Sequence, residues 1–140
     1  MTGETARELW PSARPPAAPE HFAWDLESVA ELPVVRAEVR AHLGGPHQAD
    51  LRDRLVLALD EMASNALRHG GGRVRATVRP LAGAWLIEVR DGAPGTPPTP
   101  AVNRDPSEGG LGLYLIAELA TDHGWYVTAG AKHVWAVLAP

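Results

Sequence analysis

Glu61, Asn65 and His69 recur at four-residue steps within LDEMASNALRHGGG, residues 59–72. Residues four apart stack on one helix face, so an acid, an amide and an imidazole form a polar line beside an apolar stripe. The amide oxygen of Asn65 is the type of ligand that suits magnesium, a hard cation that keeps several waters and is often shared with phosphates. Glu61, one turn earlier, can take the proton of an attacking hydroxyl near such a metal. The plainer alternative is a solvated face on which Glu61 pairs weakly with Arg54 or Arg68. His69, in the last turn, suits the helix dipole or a C-terminal cap better than a ligand role. Glutamate and asparagine with no other histidine nearby do not make a zinc site.

Two further stretches carry chemistry. In VRDGAPG, residues 89–95, Asp91 sits where an alternating strand gives way to glycine. A carboxylate there can accept from an exocyclic amine, and Gly92 and Gly95 let the backbone turn closely around a flat ring. Taken alone, Asp-Gly is an ordinary turn signal. In EGGLGLYLI, residues 108–116, glycines run straight into an apolar helix. Bare backbone N–H groups at a helix start form a phosphate cradle. The spacing fits neither the dinucleotide fingerprint nor a P-loop, and a glycine start to a helix after a loop is the simpler alternative.

These groups need a scaffold, and the hydrophobic pattern describes one. Phe22, Trp24 and Leu26 alternate as a first strand. Pro33 suits a first helical turn; Val35, Val39 and Leu43 continue it, and Gly44-Gly45 ends it. The long helix buries Leu51, Leu55, Ala58, Leu59, Met62 and Ala66 and closes at Gly70–Gly72. RVRATVRP and AWLIEVRDG, joined at Leu81-Ala82-Gly83, read as an antiparallel hairpin. Residues 92–110 hold five prolines and show no periodicity, the mark of a lid or mobile segment. Helical spacing resumes through Leu115, Ile116 and Leu119, and WYVTA and KHVWAVLA are the last strands. The predicted class is α+β, a two-layer α/β sandwich with a mixed, mostly antiparallel sheet. Residues 1–20, rich in proline and alanine, are expected to be a flexible tail, with Trp10 either solvent-exposed or docked on the domain, leaving 21–140 as one domain.

At 140 residues the chain can bury a sizeable core, and a net charge of −4 gives no reason to expect nucleic acid or an anionic membrane as partner. The absence of cysteine excludes disulfides, thiolate metal sites and cysteine nucleophiles. No apolar run reaches the length of a membrane span and no secretory signal is visible, so a cytoplasmic protein is expected.

The order of these features resembles the GHKL ATP-binding superfamily, the Bergerat fold of gyrase B, Hsp90, MutL and histidine kinases. Within it the chain looks most like the small anti-sigma-factor serine/threonine kinases and their stand-alone ATP-binding relatives. The resemblance runs from about residue 21 to the C-terminus, through the asparagine box DEMASNALRHG, the glycine boxes DGAPG and GGLGLYLI, and the closing GAKHVWAVL. It implies ATP and Mg2+ as ligands, with Asn65 holding the metal against the triphosphate and Glu61 as general base. By the same resemblance Asp91 takes the adenine amine, Gly95 lies against the ring, and Gly110, Leu111 and Gly112 cradle phosphates beneath a lid at about 92–108. It implies protein partners: an anti-anti-sigma antagonist that receives the phosphoryl group, a sigma factor, and a second copy in a homodimer. Three departures stand out: Ala93 replaces the middle glycine of the first box, Leu111 stands where relatives often carry arginine, and Arg104 is the lid's only basic residue. Two alternatives accompany the kinase reading. One is an interaction module that sequesters a sigma factor or other partner with little turnover. The other is the catalytic half of a split histidine kinase, for which the chain lacks histidine-bearing dimerisation helices.

Overall fold

The computed structural model describes residues 10–20, 22–43, 48–98 and 111–140. Five strands form one sheet in the order β1-β2-β3-β5-β4, with β1 at Phe22–Leu26, β2 at Val74–Leu81, β3 at Ala84–Asp91, β4 at Asp122–Thr128 and β5 at Ala131–Leu138. All four strand pairings are antiparallel. Three α-helices complete the two layers: α1 at Leu32–His42, α2 at Ala49–His69 and α3 at Leu111–Leu119. Among the described residues, no helix is long and apolar enough to cross a membrane.

Period-two alternation decides the two sheet faces. Val74, Ala76 and Val78 of β2, Ile87 and Val89 of β3, and Val134, Ala136 and Leu138 of β5 belong to the main core. Against them lie the expected stripe of α2 (Leu51, Leu55, Ala58, Leu59, Met62 and Ala66) and Val35, Val39 and Leu43 of the α1 segment. A 3₁₀ turn at Val29–Glu31 precedes α1, closed by a capping box between Ser28 and Glu31. That arrangement satisfies backbone donors that the first turn would otherwise leave open.

Helix α3 buries only Ile116 of the stripe its spacing suggested. Leu113 and Ile116 are buried, whereas Leu115 and Leu119 are exposed. The helix also stops at Leu119, and β4 starts at Asp122, before the expected Trp125. His123 and Gly124 are drawn into pairing because β5 continues opposite them.

The outer face carries its own small core. Leu86, Trp135 and Val137 cluster there with Ala18, Leu81, Ala84 and Tyr126. Beside it, the buried Glu88 accepts from the Tyr126 hydroxyl and bonds His133 Nδ1, both at 2.8 Å. Burial, reinforced by that hydrogen bond, pushes the Tyr126 hydroxyl up to about 12, so it remains a donor at neutral pH.

Residues 10–20, expected to belong to a flexible tail, instead dock on the domain, with Trp10 in the main core and Ala13 and Ala18 on this outer face; residues 1–9 are outside the described part. The Ala13 N–H donates to Trp125 O at 2.9 Å, and the Trp125 N–H donates to Pro11 O at 3.0 Å. Ser12 thereby makes a parallel bridge to Trp125, the one parallel element recorded among the described residues, and it covers the β4 edge. The Trp135 indole donates to Ala13 O and Arg79 donates to Ala18 O. Trp10 is 1% exposed, donates to Leu113 O at 3.2 Å and meets His123 edge-on. Trp10→Ala is therefore expected to cost about 3–5 kcal/mol of unfolding free energy. Chemical denaturation measures it, and a loss below about 1 kcal/mol would mean that the strap is not part of the cooperative fold.

Candidate active site

Glu61 and Asn65 lie one turn apart on the second half of α2, and both are half-buried. The weak pairs considered for Glu61 do not form: Arg54 is taken by Asp50 at 3.1 Å, and Arg68 is exposed and acts on Glu61 only at a distance. What faces the Glu61 carboxylate is backbone. A β-carbon on Gly112, in the first turn of α3, would collide with its Oε2, Cδ and Cγ. Glycine at 112 leaves the Glu61 side chain this place against the start of α3; a larger residue would push the carboxylate aside. Burial raises the Glu61 carboxyl above its ordinary 4.5; neighbouring Asp60 adds to the rise, and Arg68 opposes it.

That shift carries a stability consequence. A carboxyl raised in the fold binds its proton more tightly there than in the unfolded chain, so its contribution falls as pH climbs through the folded value. Glu61→Gln is expected to raise the melting temperature by a few degrees at pH 7.5, with the gain vanishing as pH falls below about 4.5. Thermal melts at both pH values test this, and a variant melting below the parent at pH 7.5 would refute it.

Asp91 ends β3 and is 3% exposed. Its Oδ1 accepts the Ala93 N–H at 2.8 Å, while Ala93 O accepts the Thr96 N–H at 3.2 Å. The turn of the first glycine box thus closes on itself with alanine at its middle position. A β-carbon on Gly70 would stand 2.6 Å from Asp91 Oδ2, so the carboxylate is wedged against the C-terminal end of α2. The Gly92 N–H donates to Gly71 O and fastens the same junction. About 13 Å of helix axis separates Glu61 from Gly70 at 1.5 Å per residue.

Gly95 is exposed, with no atom within 4 Å of where a β-carbon would stand. Helix α3 begins at Leu111. Gly110, Arg104 and the lid beyond residue 98 lie outside the described residues. His69 ends α2 and is exposed, in keeping with a place in the last turn rather than in the site. One neighbour of Asp91 escaped the sequence reading. Lys132, the chain's single lysine, is directly opposite Asp91 across β3 and β5, is 3% exposed, and brings its Nζ to 3.4 Å from Oδ2. A cavity of about 210 Å³ between Arg75, Arg90, Glu88 and His133 opens on the outer sheet face, away from this helix-covered side.

The model of the histidine kinase-like ATPase domain matches residues 22–138, nearly the whole chain. The chain belongs to that family. Over 88 residues, this chain and the signal transduction histidine-protein kinase AfsQ2 of Streptomyces coelicolor are 38% identical. That match takes in 54% of this chain but 16% of AfsQ2, so the chain spans a small part of its relative. Among solved structures, the histidine kinase AdeS of Acinetobacter baumannii matches 84% of this chain and 67% of its own, at TM-score 0.46 and 18% identity. The histidine kinase domain of the E. coli osmosensor EnvZ matches 89% of this chain and 92% of its own, at TM-score 0.45 and 18% identity. Family membership makes ATP the ligand of this domain.

Proposed function

We propose that the domain binds magnesium-ATP beside α2, β3 and the start of α3 and transfers the γ-phosphoryl group to a protein hydroxyl. The observation that carries this reading is the half-buried Glu61 carboxylate packed against the backbone of Gly112, where helix α3 opens. The backbone N–H groups that open α3 beside this carboxylate suit phosphate oxygens.

Each group then has a role. Asp91 accepts from the exocyclic amine of adenine, with Gly95 against the ring, and the Leu111 and Gly112 N–H groups, with Gly110, receive phosphate oxygens. Asn65 supplies an oxygen to magnesium, an ion that neutralises charge on the phosphates when bound. Glu61 takes the proton of the acceptor hydroxyl as its oxygen bonds to the γ-phosphorus; the bond to the bridging oxygen breaks and ADP leaves. Leu111 offers no side-chain charge to this transfer. The acceptor is a serine or threonine of an anti-anti-sigma antagonist, and the cytoplasmic outcome is control of a sigma factor, with a homodimer as the working unit. The resemblance of the three boxes to anti-sigma kinases supports this choice.

A second reading rests on the similarity to AfsQ2. In it the acceptor is a histidine on another chain, whose imidazole attacks the phosphorus itself. Labelled ATP, magnesium and candidate acceptor proteins distinguish the readings. Acid-stable label on the antagonist supports the hydroxyl acceptor, and acid-labile label supports the histidine. Nucleotide binding with no label moved, and partner binding intact in Glu61→Ala, favours a sequestering module.

A further inference from the structure

We propose that Lys132 is a positioning residue for base recognition, holding the Asp91 carboxylate in place for the purine's exocyclic amine. The inference rests on the reading of Asp91 as the base-binding group.

Lys132 and Asp91 form a directly opposed pair at the ends of β5 and β3, and both side chains are almost wholly removed from water. Burying an isolated carboxylate is costly, and a buried ammonium beside it offsets that cost. The same ammonium donates to Thr96 O at 2.7 Å. Lys132 therefore joins the carboxylate to the far end of the turn that begins at Asp91. Three contacts then fix the carboxyl plane: the Ala93 N–H on Oδ1, Lys132 on Oδ2, and the close backbone of Gly70. An oxygen so fixed retains a lone pair for the amine, and no rotamer search precedes the bond.

Such a site discriminates by what it leaves unpaired. Adenine brings a donor to Asp91, whereas hypoxanthine presents a carbonyl oxygen at the same position and sets acceptor against acceptor. Sites built on a buried hydrogen bond of this kind reject the mismatched analogue strongly. If Lys132 acts through Asp91, removing it lowers affinity for ATP while leaving inosine triphosphate little changed. A lysine that only supported the fold would weaken both nucleotides together.

The experiment is calorimetry of the full chain with magnesium-ATP and magnesium-inosine triphosphate. The parent is expected to prefer ATP by at least about tenfold, and Lys132→Met to reduce that preference at least about threefold. An unchanged preference in a folded Lys132→Met protein overturns the proposal. Because that variant leaves Asp91 buried without its counter-charge, Asp91→Asn and the double variant Asp91→Asn/Lys132→Met provide an independent arm. With the carboxylate already neutralised, adding Lys132→Met is expected to change the ATP preference less than twofold. A further large loss in the double variant means that Lys132 acts without Asp91, and the proposal fails. Should Asp91→Asn itself keep the parent's full preference, the reading of Asp91 as base-binding group falls, separately from any role of Lys132.

Discussion

Asp91→Ala is expected to weaken ATP binding about 10- to 150-fold, the loss of one charge-assisted hydrogen bond of about 1.5–3 kcal/mol. The same change strips Lys132 of its counter-ion in a site that water barely reaches. Breaking a buried pair from one side costs about 3–5 kcal/mol of stability, so the variant should also melt earlier. Calorimetry well below the variant's melting temperature separates the two effects, and Asp91→Asn serves as the isosteric control. Parent-like affinity for ATP in a folded Asp91→Ala protein would remove Asp91 from the site.

Glu61→Ala is expected to behave in the opposite manner. Phosphoryl transfer to the protein acceptor should fall about 10²- to 10⁴-fold, the usual contribution of a positioned general base. ATP affinity should change only a few-fold, because the proposed role of Glu61 is to hold a proton rather than to touch the nucleotide. The raised carboxyl also imposes a direction on the pH profile. Only the ionised form accepts a proton, so activity is lost as pH falls through the raised value and is kept above it. Single-turnover transfer of labelled phosphate across pH measures both effects. An equal loss of binding and transfer in Glu61→Ala would assign the residue to ligand binding instead.

Local pattern made most of the scaffold legible. The stripe of α2 and the alternation of β2 and β3 each arise within a few residues, and the side chains their periods select join the core. The polar line of Glu61 and Asn65 was visible for the same reason. What the sequence concealed depends on partners far along the chain. Trp10 reaches Leu113 across 103 residues, and nothing in a proline-rich segment announces that a sheet will receive it. Leu115 and Leu119 looked like core residues by spacing, but α3 turns Leu113 and Ile116 inward, with Gly112 against Glu61 and the Leu113 carbonyl bonded by Trp10. Lys132 carries no meaning in the sequence until the register of β3 and β5 places it opposite Asp91. A single lysine at the start of a largely apolar strand was the available signal, and its meaning came from pairing.

The most direct measurement is a crystal structure of the chain with magnesium and a non-hydrolysable ATP analogue. The expected complex has the adenine amine on Asp91, the metal on the Asn65 side-chain oxygen, phosphate oxygens on the backbone at the start of α3, and Glu61 facing the γ-phosphate. A nucleotide bound on the outer sheet face, or one that touches neither Asp91 nor Asn65, would contradict it.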